Sequence, residues 1–247
     1  MNSIVKPKIL LSVKDIYEID KVINYADIID LKNPNDGPIG SWDTENIKEV
    51  IRAYKNINFS ATLGNLKDLS EVKKKLPVFD SLGLHYIKIG CFCKSIEDLD
   101  KFLKFFKNTR TSASIVLVFF AENQKIINSL DKYFETFINY NIKNIMIDTK
   151  NKSSKGLFEN LTLKKLQKIL SRCHKSEISI GLAGKLQLGN LINLLFLNPN
   201  ILGFRGAICK TEDRNSDICL KKVKNLFQSI NFEINKAQEV AGACIEA

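Results

Sequence analysis

Asp27-Ile28-Ile29-Asp30-Leu31-Lys32-Asn33-Pro34-Asn35-Asp36-Gly37 is a short apolar run that ends in charge and then breaks. Ile28 and Ile29 read as part of a buried parallel strand, which Pro34 and Gly37 stop in a turn. Side chains alternate along a strand, so Ile28, Asp30 and Lys32 share one face. A carboxylate and an ammonium at the mouth of a buried strand are costly unless they are paired or used. The same pattern returns at Tyr86-Ile87-Lys88-Ile89-Gly90 and at Ile145-Met146-Ile147-Asp148-Thr149-Lys150. Three charged strand ends in one chain need a common explanation.

Outward from this stretch, strand and helix patterns alternate with a period of roughly thirty residues, the spacing of successive βα units. The other strands read at residues 8–13, 59–64, 86–90, 114–121, 144–150, 178–184 and 201–207. Between them lie apolar stripes at helical spacing, such as Ile16, Ile19, Val22 and Ile23, or Leu99, Phe102, Leu103 and Phe106. Ser12 with Asp15 and Ser95 with Asp98 read as capping pairs. A further helix is expected from about Lys185, carrying Leu191, Ile192 and Leu195. Leu130, Tyr133, Phe134 and Phe137 read as one continuous stripe. Eight strands, each followed by a helix, give a single-domain α/β fold, the TIM (β/α)8 barrel, over residues 1–230, with a tail at 231–247. An open doubly wound sheet would want a G-x-G-x-x-G turn after the first strand, and Ser12-Val13-Lys14-Asp15 is not one.

The 247 residues suffice for one such barrel, and the net charge of +10 comes mostly from lysine. The lysines scatter over polar helix faces, as in Lys73-Lys74-Lys75, which favours a solvated surface over a nucleic-acid patch. Attraction of anionic small substrates is the third reading of that charge. No apolar stretch approaches a membrane span, and the start of the chain lacks a signal-peptide core, so the expected address is the cytoplasm. The six cysteines lack paired metal spacing and are expected to be reduced and packed. Two histidines, His85 and His174, cannot build a metal triad. No metal and no organic cofactor are therefore expected, and lysine must carry the acid–base or nucleophilic work.

In a barrel of this kind the C-terminal mouth holds the chemistry. Its strand ends carry Asp30 and Lys32, Ser60 and Thr62, Lys88, Asp148 with Lys152 just beyond, Gly184-Lys185, and Arg205-Gly206-Ala207. A partly desolvated lysine beside other cations keeps some neutral amine, which can attack a carbonyl and leave an imine as electron sink. A second lysine or a carboxylate can then move protons. Singly, each pair reads as well as a structural ion pair; converging on one rim, they favour function. Gly184 and Gly206-Ala207 close the last two strands where barrels commonly bind phosphate. Lys185 and Arg205 add charge nearby, with Arg205 equally readable as the partner of a buried acid.

These residues resemble the (5-formylfuran-3-yl)methyl phosphate synthase family, also called 4-(hydroxymethyl)-2-furancarboxaldehyde-phosphate synthase. The resemblance runs from about Ile9 to Phe227. It rests on residues 26–34 with Gly37 and Gly40, Ser60-Ala61-Thr62-Leu63-Gly64, Tyr86-Ile87-Lys88-Ile89-Gly90 and Met146-Ile147-Asp148-Thr149. Lys152 and Lys155, then Leu182-Ala183-Gly184 and residues 203–209, complete it. It implies a TIM barrel that condenses two molecules of glyceraldehyde 3-phosphate, with loss of one phosphate and of water, for methanofuran-type cofactor biosynthesis. By position, Lys32 would form the Schiff base and Lys88 would transfer protons, with Asp30, Asp148 and Lys152 in support. Ser60, Thr62, Lys155, Gly184, Lys185, Arg205, Gly206 and Ala207 would bind substrate or phosphate. The chain departs from the family at Asn65-Leu66-Lys67-Asp68, where a longer Pro/Tyr/Gly loop is usual, at Glu122 for an aspartate, and at Lys185 for a small residue. A homo-oligomer is expected, with a small-molecule triose phosphate as substrate and no nucleic-acid or membrane partner. The alternatives are another phosphate-binding class I aldolase or decarboxylase, and a non-enzymatic basic barrel. A decarboxylase would want an aspartate where Asn35 stands.

Overall fold

The computed structural model describes residues 5–150 and 155–243. Eight parallel strands close in chain order: β1 (Lys8–Val13), β2 (Ile28–Leu31), β3 (Phe59–Thr62), β4 (Tyr86–Gly90), β5 (Ser114–Phe120), β6 (Asn144–Asp148), β7 (Ser179–Leu182) and β8 (Ile201–Phe204). β8 pairs with β1, so the sheet has no open edge. The barrel read from the sequence is the one observed. Strands covered on both faces are mostly apolar, and the polar Ser12, Asp30, Ser60, Thr62, Lys88 and Asp148 within them are buried as well.

Helices wrap the barrel: α1 (Ile19–Val22), α2 (Thr44–Ala53), α3 (Leu69–Asp80), α4 (Ile96–Phe106), α5 (Gln124–Ser129), α6 (Phe134–Asn139), α7 (Leu157–Asn160), α8 (Leu163–Lys175), α9 (Leu191–Leu197) and α10 (Leu220–Ala243). Each lays an apolar stripe on the strands, as Leu99, Phe102, Leu103 and Phe106 do in α4. Ser95 caps α4, and Asp98 returns the bond to the Ser95 amide, closing a capping box.

Four readings change. Ser12 does not cap a helix; its side chain points into the barrel, and the segment after β1 is a 3-10 turn, Ile16–Glu18, before α1. No helix begins at Lys185, because Gly184 (φ +101°) and Lys185 (φ +51°) are both left-handed, which a right-handed helix excludes. The helix there is α9, and its Ile192 is exposed. The stripe from Leu130 to Phe137 is broken between a 3-10 turn at Leu130–Lys132 and α6. α10 crosses residue 230, burying Ile230 and Ile234, so the stretch read as a tail begins as the last helix.

Two apolar cores result. The larger lies between strands and helices; the smaller fills the lumen with Leu10, Ile28, Val116, Val118, Phe120 and Met146. Beneath Lys88 only about 10 Å³ remains open, so the mouth sits on a packed floor. The described cysteines are free thiols; burial pushes Cys173 up to about 12, which keeps it protonated and inert. Among the described residues, no helix is long and apolar enough to cross a membrane, and no cluster of His, Cys, Asp and Glu could hold a metal ion.

Candidate active site

Strand register builds the centre of the mouth. Ser12 on β1 stands opposite Asp30 on β2, and Asp30 opposite Ser60 on β3. All three face the lumen, so two hydroxyls converge on one carboxylate. Ser12 Oγ donates to Asp30 Oδ2 at 2.8 Å, and Ser60 Oγ donates to Oδ1 at 2.5 Å. Lys88 on β4 faces the same space and donates from Nζ to Asp30 Oδ2 at 2.6 Å. Burial pushes the Asp30 carboxyl up, but the charges of Lys88 and Lys32 and the bonds from Lys88 and Ser60 outweigh it. The acid therefore sits below its ordinary value and stays ionised. Its two oxygens are held by three donors, so Asp30 is a fixed negative charge that orients Lys88.

Lys32 follows β2 by one residue and reaches Asp148 at the end of β6, with Nζ donating to Oδ2 at 3.4 Å. That contact is long, and the Lys32 side chain, 12 % exposed, lies beside the Lys88–Asp30 pair. Burial is the largest cause holding the Lys32 ammonium below its ordinary value. Lys88 and Arg214 push the same way, and Asp148 and Asp30 pull back. Asp148 is fixed in turn by the Thr149 amide, which donates to Oδ1 at 2.7 Å. A buried amine with depressed basicity, beside a second lysine on a fixed carboxylate, is the equipment for imine formation and proton transfer.

Asp148 lines a cavity of about 370 Å³ that also takes in Gly184, Lys185, Gly206 and Ala207. That volume suits a small ligand, within the ~300–1,000 Å³ range of such pockets. The glycine after β7 is required by geometry. A Cβ on Gly184 would lie 2.7 Å from Thr149 Cγ2 and 2.9 Å from the Thr149 nitrogen. Gly184→Ala is therefore expected to cost about 1–3 kcal/mol of stability in urea melts, through left-handed strain and the clash with Thr149. A variant as stable as the wild type would show that this backbone can move. A larger groove of about 1020 Å³ opens beside Phe92 and Phe120, but it is lined by as many acids as lysines and by none of the converging groups.

Other candidate residues are employed differently. Thr62 Oγ1 donates to the Gly40 carbonyl at 2.6 Å and ties down the loop after β2 instead of facing open space. Arg205 is the partner of a buried acid. Its guanidinium grips Glu18, at 2.5 and 3.2 Å, and donates to the Ser12, Arg214 and Ser216 carbonyls. With every nitrogen occupied, it has no donor to spare for a phosphate. Lys155 is exposed, and its carbonyl accepts from Asn160 Nδ2 at 3.0 Å. Lys152 lies outside the described residues. Asn65 reaches across to the loop after β2, accepting from the Ile39 amide and donating to the Asp36 carbonyl. Glu122 accepts from the Lys150 amide at 2.8 Å, fixing the chain beyond Asp148.

Three further residues were not singled out as site residues. Ser12 was hidden behind its reading as a helix cap, although its lumen-facing parity was available. Glu18 carries no local signal; only the fold shows it accepting from the Lys14 and Ile218 amides as well as from Arg205. Arg214 sits in the long loop after β8, and its one sequence signal is a cation in an unusually long connection after the eighth strand.

The comparisons follow the same line. The family model for 4-HFC-P synthase matches residues 9–227. A protein of Methanococcus aeolicus called (5-formylfuran-3-yl)methyl phosphate synthase is 28% identical over 228 residues, 87% of this chain and 95% of the relative. The protein of that name from Archaeoglobus fulgidus is 25% identical over 236 residues, 91% of this chain and 99% of the relative. Among solved structures, a 3-hexulose-6-phosphate synthase superposes with a TM-score of 0.61 at 16% identity, covering 90% of this chain and 99% of that one. N-(5'-phosphoribosyl)anthranilate isomerase from Pyrococcus furiosus gives 0.58 at 14%, covering 91% and 98%. Those two likenesses concern the barrel alone. The family match spans all eight strands and with them both lysine–carboxylate pairs, so this chain belongs to the 4-HFC-P synthase family.

Proposed function

We infer that this protein is a (5-formylfuran-3-yl)methyl phosphate synthase working through a lysine Schiff base on two molecules of glyceraldehyde 3-phosphate. The observation that carries the reading is the pairing of Lys32 with Asp148, 3.4 Å apart, beside Lys88 on Asp30 and next to the glycine-lined cavity. The names of the family relatives support the product.

The chemistry follows from these groups. Neutral Lys32 adds to the carbonyl carbon of one triose phosphate, and the carbinolamine loses water to give an iminium. Loss of the neighbouring C–H proton gives an enamine that expels the phosphate from the next carbon. That terminal carbon, as the enol, then attacks the ketone of the second molecule, isomerised to its dihydroxyacetone form. Lys88, held by Asp30, is in place to carry protons to and from these carbons and oxygens. Asp148 stabilises the iminium charge on Lys32. The free hydroxyl of the second molecule closes on the remaining carbonyl, loss of two waters gives the aromatic furan, and hydrolysis of the imine frees Lys32 and leaves the formyl group.

Incubation with glyceraldehyde 3-phosphate and borohydride, followed by peptide mapping, tests this. A reduced adduct on Lys32 together with a furan chromophore is expected. An adduct without furan marks a plain class I aldolase, and no adduct on Lys32 discards the reading.

The pH dependence gives a second test. Because Lys32 is held below the ordinary 10.5, its neutral form appears at lower pH than that of a free lysine. The rate should rise with pH through this lowered value. Between that value and 10.5 the unfolded chain binds more protons at this site, so the Lys32 contribution to stability also rises with pH. A rising limb centred at or above 10.5 would contradict the role of Lys32.

A further inference from the structure

Arg214, in the loop after β8, lines the cavity at the mouth. Its backbone is anchored: the Arg214 carbonyl accepts from Arg205 Nε at 2.9 Å, and Arg205 is itself clamped on buried Glu18. Its guanidinium then crosses to the loop that follows Lys32. Nη2 donates to the Gly37 carbonyl at 2.9 Å and to the Pro34 carbonyl at 3.4 Å. Nε is buried and has no hydrogen-bond partner among the described residues. A buried guanidinium N–H left unmatched is costly, and such a donor marks a place where a ligand completes the set.

The surroundings say what kind of ligand. Arg214 lines the same cavity as Asp148, Gly184, Lys185 and Gly206. Of the acids lining it, Asp148 is matched by Lys32, Asp213 turns to its own loop, accepting from the Asn215 amide at 2.9 Å, and Glu212 is exposed. A planar guanidinium beside two tight glycine turns suits a tetrahedral oxyanion, since its fork matches two phosphate oxygens. Arg205, readable from the sequence as a phosphate contact or as the partner of a buried acid, is the latter and holds the Arg214 carbonyl.

We propose that Arg214 is a substrate-binding residue that takes the phosphate of the substrate whose carbonyl meets Lys32, and that its bonds to Pro34 and Gly37 couple phosphate occupancy to the loop carrying Lys32. The second half rests on the Schiff-base reading above; the first half does not. Among the described residues Nε is unmatched, and a phosphate oxygen would match it. The phosphate end of the substrate thereby helps to set the position of the amine that attacks its other end.

Two measurements on the 247-residue chain test this, using Arg214→Met and Arg214→Lys. The first is calorimetric titration with inorganic phosphate, which needs no Schiff base. The second is borohydride trapping at Lys32, comparing glyceraldehyde 3-phosphate with unphosphorylated glyceraldehyde. Loss of a charged partner predicts that phosphate affinity in Arg214→Met falls at least about 30-fold, and that the preference for the phosphorylated aldehyde falls by a similar factor. Arg214→Lys keeps the charge without the fork and should recover part of both. If Arg214→Met does not fold, as judged by circular dichroism, Arg214→Lys carries the test, with a loss of several-fold expected. Unchanged phosphate affinity in whichever variant folds overturns the proposal. A wild type that forms no adduct at Lys32, while phosphate binding still depends on Arg214, sinks the Schiff-base chemistry and upholds the phosphate contact.

Discussion

Lys32→Arg should eliminate furan formation and borohydride trapping while leaving the protein folded. Arginine keeps the positive charge that Asp148 faces, so the ion pair at the mouth survives in kind. It cannot supply a neutral nitrogen at any accessible pH. The loss in turnover should be on the order of 10⁴-fold or more, the scale seen when a covalent nucleophile is removed. Stability should change by less than about 1 kcal/mol, because the side chain lies at the rim and not in the packed floor. Single-turnover kinetics, peptide mapping and a thermal melt on one preparation read all three. Measurable turnover in this variant would mean that another group makes the covalent bond, or that none does.

The second large effect concerns Asp30. Asp30→Asn leaves the Lys88 ammonium, only 4 % exposed, in the lumen without its counter-charge. Breaking a buried pair by removing one partner costs about 3–5 kcal/mol. The variant should therefore melt far below the wild type, with activity lost through the misplaced Lys88. A variant lacking both charges, Asp30→Leu with Lys88→Met, should recover most of the stability and none of the activity, which separates the two contributions. The pH dependence has a definite sign. The Asp30 carboxyl lies below its ordinary 3.8 in the folded state, so its contribution is complete above 3.8 and is lost as pH falls through the lower folded value. Urea melts across that acid range should show the limb in the wild type and not in Asp30→Asn. Equal melts, with equal acid limbs, would show that the pair contributes nothing.

The barrel was legible because strands buried on both faces leave unbroken apolar runs, and because those runs recur with helix-length connections between them. Asp30, Lys32, Lys88 and Asp148 were legible for a related reason: each breaks such a run at the end where the mouth must lie. What remained hidden depends on register and on long-range packing. That Ser12 would meet Asp30 follows from the β1–β2 register, which no local pattern contains. Arg205 was read toward phosphate because it ends β8, but its fate was decided by Glu18, 187 positions away in the chain. The left-handed pair Gly184 and Lys185 hid the late start of α9, since lysine gives no local warning of a positive φ.

Glu18 and Arg205 have a consequence for how such a protein can change over time. Each is nearly sealed from water, and the two are joined by a forked ion pair. A single replacement at either position strands an ion inside the fold, so lineages that pass through it should be purged. The two sites should therefore vary as a coupled pair or stay fixed together, and a library randomising only one of them should return the starting residue.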